Sequence, residues 1–163
     1  MKKTGIFFGS STGYTADVAN RIGRALGVDM ADIHDVANTA PSRIGDYDMI
    51  LLGSSTWGDG DIQDDFADFL DGVEAMDLTG KTVALFGCGD ESMSDSFCGA
   101  VGEIYNRMKG TGATMKGAFN ADGYTFDSSA AQSPDGQMVG LVLDEVNHPE
   151  LTDARITAWL KTL

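Results

Sequence analysis

Three short stretches hold nearly all the residues whose types suit chemistry. The first is Ser10, Ser11, Thr12, Gly13, Tyr14 and Thr15, lying between an apolar run and a helical pattern. It offers the hydroxyls of Ser10, Ser11, Thr12 and Thr15 together with the amides of a helix start, where unpaired N–H groups and partial positive charge suit a phosphate. Gly13 allows close approach of the backbone. The stretch has no Lys or Arg, so it is not a Walker loop, and it lacks the GxGxxG of a dinucleotide site. It reads as a neutral nest for one monophosphate, against the simpler reading of a polar capping turn.

The second stretch is Ser54, Ser55, Thr56, Trp57, Gly58, Asp59, Gly60 and Asp61. A tryptophan set among turn residues at a strand end presents a flat face for stacking on an aromatic ligand, or packs over the sheet edge. The third runs from Gly87 through Cys88, Gly89 and Asp90 to Glu91, Ser92, Met93, Ser94 and Asp95, again small residues plus carboxylates after a strand. Phosphate nest, aromatic platform and acidic rim together describe a flat, phosphorylated, aromatic cofactor. Cys88 and Cys98 have neither CxxC nor metal spacing and read as buried thiols rather than a disulfide. His34 and His148 are isolated, which gives no support to a metal site or to histidine-based catalysis.

Alternating strands and helices must position these stretches. Residues 3–9 form a buried strand, and Thr12 is placed to cap a helix carrying Val18, Ile22 and Leu26 on one stripe until Gly27 stops it. Residues 28–33 read as a second strand, 41–46 as a weak helical segment, and 48–54 as a third strand with the continuous apolar character of a central parallel one. Phe66, Phe69, Leu70 and Val73 share one helical face, as do Val101, Ile104, Tyr105 and Met108. Between these helices lies a fourth strand over 82–87, and 113–118 starts a fifth. Pro149 and a capping Thr152 introduce a last helix buried through Ile156, Trp159, Leu160 and Leu163. The long segment 119–138, rich in Asp, Gly and Ser, splits or follows the fifth strand before the apolar run 139–143. The pattern is α/β: a three-layer α/β/α sandwich on a five-stranded parallel sheet, one domain over 1–163, with ligands bound beyond the carboxyl ends of the strands.

Charge narrows the partners. Eleven Lys and Arg against 25 Asp and Glu leave a net charge of −14. Such a surface repels nucleic acid and anionic membranes and suits partners with basic faces. Simple solubility, or a salty cytosol, explains the same number. No apolar run approaches the length of a membrane span, and the amino-terminal apolar stretch is too short for a signal peptide, so a cytoplasmic location is expected.

The chain resembles a flavodoxin along almost its whole length. The resemblance rests on Ile6 through Gly13, on Ser55, Thr56, Trp57, Gly58, Asp59 and Gly60, and on Phe86, Gly87, Cys88, Gly89 and Asp90. The region from Asp122, Gly123 and Tyr124 to Val139, Gly140 and Leu141 is similar to the extra loop of the long-chain subgroup. The resemblance implies strand order 2-1-3-4-5, of which flavodoxin is itself a type example. It also implies non-covalent FMN, a monomer, and a low-potential one-electron carrier serving redox proteins rather than an enzyme. Ser10, Ser11, Thr12, Gly13, Tyr14 and Thr15 would enclose the FMN phosphate, with Ser55 or Thr56 closing the cage. Trp57 would stack on the inner flavin face, beside Asp59 and Gly60. Gly58 would turn its peptide over on reduction and stabilise the neutral semiquinone. Gly89 and Asp90 would border the pyrimidine edge, with Cys88 and Phe97 close by.

Two features qualify the resemblance. Flavodoxins place a tyrosine from the third loop on the outer flavin face, and no Tyr lies between Asp90 and Phe97; Met93 is the nearest counterpart, a thioether that contacts aromatic edges. The rim carboxylates, Asp59, Asp61, Asp64, Asp65, Asp90, Glu91 and Asp95, oppose a second reduction by roughly 0.4 kcal/mol each at about 10 Å in water. An FMN-dependent NAD(P)H:quinone reductase is the alternative, but no substrate acid or base is identifiable. A receiver domain would need a phospho-acceptor Asp where Ser54, Ser55 and Thr56 stand.

Overall fold

Strand β1, Thr4–Gly9, is an interior strand of the sheet, with Ile6 and Phe7 both wholly buried. The computed structural model describes residues 3–10, 13–57, 61–90, 97–120, 124 and 129–163. On one side β1 pairs in parallel with β2, Ile33–Asp35, and on the other with β3, Met49–Trp57, in a register that sets Ile6 beside Ile33 and Leu51. The two-residue strand β4, Asp61–Ile62, folds back antiparallel on the end of β3. Beyond β3 lies β5, Thr82–Cys88, whose six residues after Thr82 are all buried. The fifth position is shared: β6, Thr114–Lys116, pairs with Thr82, Val83 and Ala84, whereas β7, Leu141–Leu143, pairs with Phe86, Gly87 and Cys88. The order β2-β1-β3-β5, then β6 and β7, is the expected 2-1-3-4-5 when only the parallel positions are counted, with the fifth split by the segment 117–140.

Side-chain alternation along β1 assigns the two helical layers. Ile6 faces helix α1, Tyr14–Leu26, where a Cβ on Gly23 would lie 3.6 Å from it. Phe7 faces the other way and stacks on Phe69 of α2, Asp64–Val73, at 5.6 Å between ring centres. Arg107 of α3, Gly99–Met108, is ion-paired with Asp71 and Glu74 of α2, tying the two helices of that layer together. On the α1 side lies α4, Thr152–Leu160, joined to α1 by the Arg21–Asp153 pair at 3.5 Å. One continuous hydrophobic cluster runs through both layers.

Four local expectations are corrected. The second strand begins at Ile33 rather than 28, because Asp29 accepts the Ala31 N–H and starts a 3-10 turn over Met30–Asp32. The cap of α1 falls on Gly13, at φ 95, instead of Thr12. Thr152 is the first residue of α4 rather than its cap, and its hydroxyl donates to the Glu145 carboxylate. Leu160 and Leu163 pack against the core but are only partly buried, leaving Ile156 and Trp159 as the buried apolar residues of α4. Gly27 ends α1 in the left-handed region at φ 72, as its position suggested.

Candidate functional site

The parallel sheet brings the ends of β1, β3, β5 and β7 to one edge, and the helices that follow start there. Gly9 pairs with Ser54, and Ser55 with Cys88, so the three chemistry-bearing stretches emerge side by side. Between them lies a cleft of about 180 Å³. Tyr14, Ser55, Thr56 and Cys88 form part of its lining, and Gly89, Asp90, Glu145 and Val146 complete it among the described residues.

The amino end of α1 is built to receive an anion. Gly13 donates its N–H to Ser10 Oγ at 3.0 Å, which turns the chain into the helix. The N-cap is a glycine, so the cap residue itself brings no side chain to the first-turn amides of α1. Thr15 is wholly buried, and among the described residues its hydroxyl meets no oxygen or nitrogen partner, only the weakly polar Cys88 thiol. A buried donor left with so weak a partner is costly, and a phosphate oxygen would satisfy it. The donor set therefore fits a phosphate.

The other walls are held from behind. Ser54 Oγ accepts the Gln63 N–H at 3.1 Å and donates to the Ser55 carbonyl at 2.8 Å. Gln63 in turn caps α2 by accepting the Phe66 N–H at 2.9 Å. Thr56 Oγ1 accepts the Ala100 N–H at 3.3 Å, so the second stretch is pinned to the start of α3. Cys88 and Cys98 are both buried and are not joined in a disulfide, as expected. Burial pushes the Cys88 thiol up to about 12, the neighbouring Thr15 hydroxyl opposing the shift and the Glu145, Asp144 and Asp17 carboxylates adding to the rise. It is a neutral wall residue, not a thiolate nucleophile.

Of the anticipated site residues, Tyr14, Ser55, Thr56, Cys88, Gly89 and Asp90 meet at the cleft, with Ser10, Gly13 and Thr15 at the adjoining helix start. Phe97 is fully buried outside the cleft lining, its ring 5.8 Å from that of Tyr124. Ser11, Thr12, Gly58, Asp59, Gly60 and Met93 lie outside the described residues, as does the side chain of Trp57.

Sequence reasoning missed a fourth wall, the turn after β7. Glu145 lines the cleft with a side chain only 8% exposed, its carboxylate 3.9 Å from Arg21. Val146 stands beside it, 56% exposed. The signal was present: a carboxylate pair, Asp144 and Glu145, follows the apolar run 139–143 as Asp90 follows the fourth strand.

Comparison with known proteins places the chain. The family model described as Flavodoxin matches residues 6–159. Flavodoxin 1 of Escherichia coli strain K12 is 44% identical over 164 aligned residues, covering all of this chain and 93% of the relative. Flavodoxin of Haemophilus influenzae is 40% identical and is covered to 94% of its length. Among solved structures, Fusobacterium nucleatum flavodoxin bound to flavin mononucleotide superposes with a TM-score of 0.90 at 30% identity, over 99% of this chain and 96% of that one.

Proposed function

The chain belongs to the flavodoxin family, and from that premise we propose that it binds FMN non-covalently in the cleft and carries single electrons between redox proteins. The observation that supports this most directly is the buried Thr15 hydroxyl in the first turn of α1, which meets no oxygen or nitrogen partner among the described residues. Bound FMN supplies the redox chemistry; the protein binds it, orients it and keeps water from it.

Ser10, Ser11, Thr12, Gly13, Tyr14 and Thr15 take the phosphate, aided by Ser55 or Thr56. Trp57, Gly58, Asp59, Gly60 and Met93 border the ring system. Cys88, Gly89 and Asp90 border its pyrimidine edge, with Phe97 packed behind. A neutral nest suffices, because hydrogen bonds to a charged group contribute about 1.5–3 kcal/mol each. The neutral Cys88 offers no nucleophile to an electrophilic ligand.

The whole chain acts as one FMN-binding unit of the long-chain subgroup, a reading supported by the split of the fifth strand around 117–140. With a net charge of −14, its partners present basic faces. It works as a monomer in the cytoplasm, consistent with two thiols left unoxidised and with no described helix long and apolar enough to cross a membrane.

Absorbance of the purified holoprotein during stepwise anaerobic reduction tests the proposal. Oxidised-flavin bands that bleach in two resolved one-electron steps support it. A protein that stays colourless after FMN is added refutes it, and turnover of NAD(P)H with a quinone would favour the reductase alternative.

A further inference from the structure

Glu145 sets a carboxylate in the wall of a cleft that suits an anionic ligand. Its side chain is only 8% exposed, and the buried Thr152 donates its hydroxyl to that carboxylate. A hydroxyl fixes the carboxylate in place but brings no charge to offset it. The charge is met from behind by Arg21 of α1, whose guanidinium lies 3.9 Å from Glu145 Oε1. The same guanidinium is 2.9 Å from Asp17 and 3.5 Å from Asp153, so it is held from both α1 and α4. Those two carboxylates are 50% and 87% exposed, and water screens them. Glu145 is the partner in the least polar surroundings, where a unit charge has most effect. Its charge is felt inside the cleft, since it contributes to raising the Cys88 thiol. Arg21 itself is not part of the cleft lining.

From this we infer that Arg21 is a positioning residue that sets ligand specificity: by offsetting Glu145, it lets the cleft hold a phosphorylated flavin in preference to the same flavin without its phosphate. The inference rests on the FMN reading above. The phosphate nest is neutral, so the balance of charge in the surrounding walls decides how well a dianion is tolerated. Without Arg21, the Thr152 hydroxyl keeps Glu145 where it is, and the wall gains an uncompensated negative charge. That charge opposes the phosphate and is nearly indifferent to an uncharged flavin.

Four forms of the full chain test this: wild type, Arg21→Gln, Arg21→Lys and the double variant Arg21→Gln with Glu145→Gln. Each is titrated with FMN and with riboflavin, and binding is read by flavin fluorescence. Arg21→Gln weakens FMN binding about fivefold or more and changes riboflavin binding by less than about twofold, because only FMN carries the charge that Glu145 opposes. Arg21→Lys keeps most of the FMN affinity, since the charge remains. The double variant returns to within about twofold of wild type for FMN, the wall being again without net charge. Unchanged FMN affinity in Arg21→Gln would overturn the inference. Equal losses for the two flavins, or no recovery in the double variant, would mean that Arg21 only ties α1 to α4, and would overturn the inference alone. A wild-type protein that binds neither flavin overturns the cofactor reading and this inference with it.

Discussion

The indole Nε1 of Trp159 donates to the Gly117 carbonyl at 2.8 Å, locking the last helix to the point where the split fifth strand is interrupted. Gly117 has φ 87, and a Cβ there would lie 2.8 Å from Trp159 Nε1. Gly117→Ala combines left-handed strain with overpacking and should cost about 1–3 kcal/mol of stability. Urea unfolding of the holoprotein checks this; an unchanged midpoint would show that the indole can move aside.

Thr15→Val keeps the shape of the side chain and removes the hydroxyl. If that hydroxyl serves the phosphate, FMN affinity should fall by about 1.5–3 kcal/mol while riboflavin affinity hardly changes. Titration of the apoprotein with both flavins distinguishes the cases. Equal losses would place the hydroxyl's role in the protein rather than at the phosphate.

His34 Nε2 lies 2.7 Å from Tyr47 Oη, and that hydroxyl donates to Asp32 at 2.9 Å. The His34 ring also stacks on Phe7 at 4.9 Å. Burial, then the Arg43 charge, hold the His34 pKa below its ordinary value, against the opposing pull of Asp32 and Asp46. The unfolded chain therefore takes up the proton first as pH falls. Stability from neutral His34 is present above about pH 6.5, its unfolded pKa, and is lost as pH drops toward the lower folded value. Relative to His34→Gln, the wild-type melting temperature should decline between pH 7.5 and 5.5. Parallel curves for the two proteins would contradict the assignment.

Electron exchange with a basic partner should slow as salt is added, by about tenfold or more, as the Debye length contracts from about 10 Å at 0.1 M to about 3 Å at 1 M. Stopped-flow rates against ionic strength measure it. A flat profile would mean that the −14 charge serves solubility and not encounter.

The fold was legible in the residues because its signals are local. Phe66, Phe69, Leu70 and Val73 repeat at helical spacing, 48–54 is apolar without a break, and Gly27 stops a helix; each needs only its neighbours in the chain. Three walls of the cleft were legible for the same reason, as hydroxyl- and glycine-rich stretches directly after strands. Tertiary structure alone decided the rest. Whether 119–138 follows or splits the fifth strand depends on β6 and β7 pairing with different halves of β5, a register that spans a long separation in sequence. That split carries Asp144, Glu145 and Asn147 to the strand ends where Asp90 waits. The bond between Asn147 and Asp90 crosses 57 positions. No spacing rule encodes such a contact, because hydrogen bonds depend on distance and angle in space, which the packing of the whole sheet sets.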